Sequence, residues 1–370
     1  MQENMSILDM IHERCPNGVK YIKIEDICKI TRGKVISKKT LRDTKNGKYP
    51  VYSSQTENNG ELGRLTTYDY DGEYLTWTTD GAKAGTVFYR HGKFNITNVC
   101  GLLEITSENI NIHYLYHVLK RIAPDYVSRG MGNPKLMSNV ISNIEIPVPP
   151  IEIQCEIAKI LDQFEELVKE LEKELEMRID QYEYYRNMLL SFDDSVEKKK
   201  LGDTSIFNFH YGQGNTIPKD KGIFPVYGCN GIVAHTTKYN CENTCVIGHI
   251  GSAGVVNWIE GKAFVTYNGT ICEIVDDNKV NQKYLYYFLT SIDLKQYVKG
   301  NQPFLSVSDF SHVKIPLPSI EKQEAIVEIL DQFDELCTSL TNGIPAEIAM
   351  RKEQYEYYRN LLLNFKNINE

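Results

Sequence analysis

Two stretches of the chain carry apolar residues at alternating steps of three and four. In 151–192, Ile157, Leu161, Phe164, Val168, Leu171 and Leu175 follow one another at steps of 4, 3, 4, 3 and 4, the seam of a heptad-patterned helix. The seam continues less regularly through Ile179, Tyr182, Tyr185, Leu189 and Phe192. At about 1.5 Å per residue this stretch reaches roughly 60 Å. A second seam runs Ile326, Leu330, Phe333, Cys337 and Leu340, and Gly343 and Pro345 predict a kink or break after it. Ser319 is placed to cap that helix, with Glu321 and Glu324 in its first turn. Elsewhere the pattern is of short β-like runs: Tyr74 to Thr78, Thr86 to Tyr89, Leu102 to Ile105, Val255 to Trp258 and Thr270 to Ile274. Helical stretches are predicted near 112–122 and 283–298. The fold class is therefore α+β, two mixed α/β globular halves with two long helices, divided at 1–149, 150–193, 194–318 and 319–370.

The plan is an internal repeat. Ile146-Pro147-Val148-Pro149 returns as Ile315-Pro316-Leu317-Pro318, and Leu161-Asp162-Gln163-Phe164 as Leu330-Asp331-Gln332-Phe333, both displaced by 169 positions. Gln181-Tyr182-Glu183-Tyr184-Tyr185-Arg186-Asn187 returns as Gln354-Tyr355-Glu356-Tyr357-Tyr358-Arg359-Asn360, displaced by 173. The four extra residues fall near Asn342 to Pro345. The globular halves repeat only weakly, for example Pro50-Val51-Tyr52 with Pro225-Val226-Tyr227. Something variable belongs to those halves, and something fixed to the helices.

The net charge of −8 over 370 residues argues against a nucleic-acid partner until it is divided. Segment 151–192 sums to −6 and 319–365 to −5, whereas 20–145 sums to +5 and 193–318 is balanced. Fields are local within a Debye length, so a basic cleft in the first half is compatible with acidic helices. No apolar run approaches the roughly 20 residues of a membrane span. The start, MQENMSILDM, lacks a secretory pattern. An odd count of nine cysteines suits reduced thiols in a cytoplasm.

Catalytic motifs are missing. There is no GxxxxGK[ST], no HExxH and no Asn/Asp-Pro-Pro-Tyr/Phe segment. Glu197-Lys198-Lys199 has a nuclease-like spacing, but in a charge run it reads as a solvated linker. Cys241 and Cys245, near Cys229, His235 and His249, have a spacing open to zinc; small core residues are the plainer reading, and no metal is expected. Candidate DNA-facing residues lie in polar turns, because Arg, Asn and Gln read base edges while Lys and Ser more often hold phosphates. In the first half they are Lys34, Lys38, Lys39, Arg42, Ser54, Gln55, Asn58, Asn59, Arg64, Lys83, Arg129, Asn133 and Lys135. In the second they are His210, Gln213, Asn215, Lys219, Lys221, Asn230, His235, Lys238, Ser252, Asn301 and Gln302.

The paired Ile-Pro-Val/Leu-Pro and Leu-Asp-Gln-Phe segments, the paired Gln-Tyr-Glu-Tyr-Tyr-Arg-Asn segments, Pro50 to Gln55, and Gly81-Ala82-Lys83-Ala84-Gly85 together resemble the specificity subunits of type I restriction-modification systems, over essentially the whole chain. The resemblance implies two target-recognition domains held by two long antiparallel helices, a coiled coil with a pseudo-twofold axis. Each domain would read one half of a split site on double-stranded DNA. The helices would dock two methyltransferase subunits, with Phe164, Tyr182, Tyr185, Phe333, Tyr355 and Tyr358 as candidate docking residues, and restriction subunits could join them. The chain would be non-catalytic and cytoplasmic and hold no cofactor; S-adenosylmethionine, ATP and magnesium would belong to the partners. Three other readings stay open: a protein-only adaptor, which predicts no DNA affinity; a single-chain enzyme, which predicts turnover in isolation; and, within the family, a specificity subunit whose partners only methylate.

Overall fold

A computed structural model describes residues 6–369 except 131, 215, 340 and 341. The chain divides into two units, Met1–Glu170 with Ile348–Glu370, and Leu171–Glu347. Each globular half thus carries part of the helical sequence with it.

The first unit opens with α1 (Ile7–Arg14), β1 (Lys20–Lys23), α2 (Ile24–Ile27), β2 (Cys28–Arg32) and α3 (Lys38–Asp43). It continues through β3 (Tyr49–Tyr52), β4 (Glu61–Leu65), β5 (Tyr70–Thr78), β6 (Val87–Ile96) and β7 (Cys100–Ile105). Then follow α4 (Ile112–Ile122), α5 (Ser138–Ile141), β8 (Glu145–Val148) and the 39-residue α6 (Ile151–Leu189). The sheet order is β2-β7-β5-β6-β3-β4, antiparallel except for β3 beside β6. A separate ribbon pairs β1 with β8. The main core lies between the sheet and the helices, around Trp77, Tyr114, Leu115, Ile157 and Leu161. Trp77 is fully buried and donates its indole N–H to the Leu136 carbonyl at 3.0 Å. Gly101 on the next strand is required by that ring, since a Cβ there would fall inside it.

The second unit repeats the plan: β9 (Lys198–Lys200), β10 (Phe207–Tyr211), β11 (Phe224–Tyr227), β12 (Ile232–Thr236), β13 (Cys241–Gly248), β14 (Val256–Val265), β15 (Gly269–Ile274), α7 (Gln282–Ser291), α8 (Val307–Phe310), β16 (Lys314–Pro316) and α9 (Ile320–Thr338). Its sheet order, β10-β15-β13-β14-β11-β12, matches the first unit strand for strand, including the parallel pair β11 and β14. The expected break after α9 is present: α10 (Ile344–Leu362) starts afresh. Gly343 packs against the carbonyls that end α9, and Pro345 sits in the first turn, where its missing N–H is not needed. Leu340 lies outside the described residues.

In each unit a buried glutamine ties a long helix to the start of a shorter one, α4 or α7. Gln154 accepts the Asn111 N–H (2.9 Å) and donates to the carbonyls of Asn109 (2.9 Å) and Pro149 (2.8 Å). Gln323 accepts from Asn281 (2.9 Å) and donates to Lys279 (2.8 Å) and Pro318 (2.9 Å). Tyr114 and Tyr284 donate to Pro147 and Pro316 beside them. Proline removes donors at these corners and leaves carbonyls to be satisfied; the glutamine amide satisfies them. Each unit also has a smaller core on the far side of its sheet, around Phe94, Ile96 and Leu102 in the first and Val246, Ile259 and Ile271 in the second.

Candidate nucleic-acid interface

The turns at one edge of each sheet bring many of the predicted polar residues together. In the first unit, Asp80 and Ser128 both bridge to Lys135, and Gly81 donates its N–H to the Pro134 carbonyl. This joins the turn holding Lys83 to the loop holding Arg129, Asn133 and Lys135, all four exposed. Gly81 (φ 102°) and Gly85 (φ 83°) supply the left-handed backbone the turn needs. Ser54 reaches Asp80 at 3.4 Å and carries the β3–β4 turn into the same group. Within that turn Gln55 donates to the Glu61 carbonyl, while Asn58 and Asn59 are exposed at φ 48° and 51°. Arg64 is held by Glu61 through two bonds of 2.8 and 3.1 Å. Lys38, Lys39 and Arg42 lie on α3, outside that loop cluster, and Lys34 is paired with Asp69 at 2.6 Å.

The second unit builds the same arrangement with other side chains. Ile250 and Lys299 bridge to Phe304, and Gly251 donates to the Pro303 carbonyl, so Ser252 meets the loop of Asn301 and Gln302. Lys219 and Lys221 flank Asp220, which accepts from Thr236 and Thr237. Bonds from the Thr237 hydroxyl and amide, then the Thr236 hydroxyl, hold the Asp220 carboxyl well below its ordinary range. Asn230, His235, Lys238 and Gln213 are exposed. His210 is placed differently, on β10 with Nε2 3.2 Å from Glu273. Asn215 lies outside the described residues. Cys241 and Cys245 are buried on β13, and their thiols face the carbonyls of Ala263 and Cys272. Burial pushes the Cys241 thiol up to about 12, so it stays protonated, unlike a metal-bound thiolate.

The six aromatic residues expected to dock partners pack within the units, four of them in stacked pairs. Phe164 stacks on Tyr358 with centroids 5.3 Å apart, and Phe333 on Tyr185 at 5.5 Å. Tyr182 lies 6.4 Å from Phe333, and Tyr355 is buried with its hydroxyl donating to Glu165 at 2.9 Å. The reason is positional: they occupy the seam of the heptad pattern, the side that packs. The outward faces instead carry Met177, Tyr184 and Met188 in the second unit, and Met350, Tyr357 and Leu361 in the first, all exposed. These two sets correspond at the same displacement of 173.

Where α4 meets the helices, the first unit holds a charged network. His117 is fully buried with Nε2 2.8 Å from Asp162, and His113 lies 2.8 Å from the other oxygen of that carboxylate. Lys120 donates to Glu165 at 2.6 Å. Burial would raise the Glu165 carboxyl, but Lys120, His117 and the Tyr355 hydroxyl together outweigh it and the net direction is down; Asp162 is likewise held down by the two histidines against its own burial. The second unit has Lys283 on Asp331 at 2.8 Å and the Tyr287 hydroxyl on the same carboxylate. There Asp334, in the place of Glu165, is pushed up by burial and then by Asp331.

The repeated plan has counterparts among known proteins. The family described as type I restriction modification DNA specificity domain matches residues 16–181 and 194–350. The chain belongs to the type I restriction-modification DNA specificity family. A Mycoplasma pneumoniae protein, provisionally named type I specificity subunit S.MpnORF507P, is 33% identical over 94% of this chain and 98% of that protein. A second from that organism, the type I restriction enzyme MpnII specificity subunit, is 44% identical over 48% of this chain and 55% of its own length. In fold the chain is similar to the type I restriction-modification S subunit of M. genitalium, with a TM-score of 0.67, 19% identity, and coverage of 94% and 96%. Both copies in this chain keep the glutamine tie and the aromatic stack. Among the described residues, no helix is long and apolar enough to cross a membrane.

Three features of this specificity chain escape a reading of its sequence. Gln154 and Gln323 lie 169 apart, between the repeated segments, and only the proline corners beside them hint at their partners. Arg90 gives no sign in sequence that it is buried. Ile232 and Val233 read as ordinary strand residues, yet both are exposed at the tip of the β11–β12 hairpin.

Proposed function

We propose that this chain is the DNA-reading, non-catalytic subunit of a type I restriction-modification complex, with each unit reading one half of a split site in double-stranded DNA. The observation that carries the reading is the pairing of sameness and difference: equivalent loop clusters on one strand order, lined by unlike side chains, above joints that keep the same residues. Unlike loops suit two different half-sites, and like helices suit two copies of one partner. Two methyltransferase subunits would dock on the repeated faces of Met177, Tyr184 and Met188 and of Met350, Tyr357 and Leu361, where exposed Met and Tyr favour protein contact. The helices would run antiparallel as a coiled coil and set the distance between half-sites. S-adenosylmethionine would be bound by those partners, and ATP and magnesium by restriction subunits where these join.

Co-expression with methyltransferase subunits, followed by mapping of methylated adenines across a genome, tests this. A motif of two fixed halves around an unread spacer is expected. A continuous motif, or no methylation dependent on the chain, contradicts it. Inserting four residues after Val168 is expected to shift the preferred spacer; an unchanged spacer contradicts the role given to the helices.

A further inference from the structure

The first unit contains a buried cation that its fold does not require. Arg90 on β6 is 2% exposed. Its Nε donates to the Thr76 hydroxyl at 3.1 Å, but Nη1 and Nη2 have no hydrogen-bond partner among the described residues. The guanidinium instead lies between two rings, 3.6 Å from the centroid of Tyr52 and 4.4 Å from that of Phe88. Ring faces offset part of the lost hydration of a cation, but they accept N–H bonds only weakly, and unpaired buried donors are destabilising. Burial lowers the pKa of this guanidinium, and the neighbouring Tyr52 offsets only part of that.

The second unit provides the control. Residue 259, displaced by 169 from residue 90, is an isoleucine, 0% exposed in the far-side core. The register agrees: Arg90 faces Tyr74 across β5–β6, and Ile259 faces Thr244 across β13–β14. An apolar residue therefore satisfies this fold at this place. What differs above it is the turn. In the first unit the turn 53–60 lies over the guanidinium, for a Cβ on Gly60 would stand 3.0 Å from Arg90 Nη2 and 3.1 Å from the Gln55 carbonyl. The corresponding turn of the second unit is only 228–231, and its hairpin carries no such cation beneath. The unpaired charge and the long polar turn occur together, with Gly60 and the Gln55 carbonyl next to the guanidinium.

We propose that Arg90 is a withheld phosphate contact: when DNA engages the 53–60 turn, the guanidinium leaves its slot between Tyr52 and Phe88 and pairs with a backbone phosphate of the half-site read by the first unit. The inference rests on the DNA-reading role given above. It makes Arg90 a positioning and affinity residue of one half only, and one whose hydrogen bonds are completed in the bound state.

The test uses the chain assembled with its methyltransferase subunits and duplexes carrying the mapped site. Arg90→Ile installs the residue that the second unit uses, and Arg90→Gln keeps polar reach without charge. Both are expected to melt no lower than the native chain. Both should reduce the slope of log affinity against log salt by about 0.9, the value of one phosphate. Neutral methylphosphonate linkages, placed one at a time in the half-site of the first unit, should weaken the native complex at one position and leave the Arg90→Ile complex indifferent there. An unchanged salt slope in both variants overturns the proposal. So does equal sensitivity of native and variant complexes to every linkage, or a fall in melting temperature that tracks the affinity loss, which would make Arg90 purely structural. If the native complex binds no DNA, the reading above fails and the inference with it; if it binds and only the slope stays fixed, the inference alone fails.

Discussion

In the first unit the turn after β3 is long and polar and ends on the Glu61–Arg64 ion pair; in the second it is short and opens onto exposed Ile232 and Val233. These positions are structural equivalents, since Tyr52 pairs with Glu61 where Tyr227 pairs with Ile232. At the opposite end of each unit, the glutamine tie is reproduced atom for atom. Surface loops accept change because their backbone is solvated, whereas a buried amide with three partners does not. The comparison therefore separates what one fold must keep from what it is free to vary.

The largest expected effect falls on the shared part. Gln154→Ala and Gln323→Ala each strand a buried N–H and two carbonyls, at about 1–3 kcal/mol per unsatisfied group. Each should lower the melting transition of its own unit and by a similar amount. A clearly unequal loss would break the equivalence of the two joints.

The next test sharpens the difference between the loops. Ile232→Ser with Val233→Ser removes apolar groups able to contact thymine methyls. Both residues are exposed, so stability should move by no more than about 0.5 kcal/mol. Methylation should relax roughly tenfold in the half read by the second unit, if about 1.4 kcal/mol of contact is lost. Unchanged selectivity in that half would remove the hairpin from the reading surface.

A smaller effect divides the joints by pH. Glu165 and Asp162 have carboxyls held below the ordinary range, so their contribution is complete above about pH 4.5. It is lost as pH falls through their depressed folded values. Asp334 is raised, so its ionisation weakens the second unit as pH rises, and acid relieves it. Hydrogen exchange in α4 should therefore accelerate at acid pH before exchange in α7 does. Simultaneous opening of the two helices would contradict these assignments.

Much of the scaffold was legible in the pattern of residues. The 3–4 spacing gave α6 and α9, Gly343 and Pro345 gave the break before α10, and the span 112–122 is α4 itself. These depend on local periodicity, which a sequence displays. The docking residues were harder, because Tyr182 and Tyr184 look alike in sequence while one lies on the packed side of the helix and the other is exposed. The candidate site was legible only as a set of loops. That Lys83 and Lys135 share one group depends on bridges between distant turns, and that Arg64 is occupied by Glu61 depends on rotamers. Arg90 could not be found at all, since nothing local marks a strand arginine as buried.

The central claim is that each unit reads its own half of the site independently. The most direct measurement compares adenine methylation maps from the native chain and Arg129→Ala, an exposed side chain of the first unit's loop cluster, each assembled with the methyltransferase subunits. The account predicts that one half of the motif relaxes while the other keeps its full selectivity. Equal loss in both halves would contradict it.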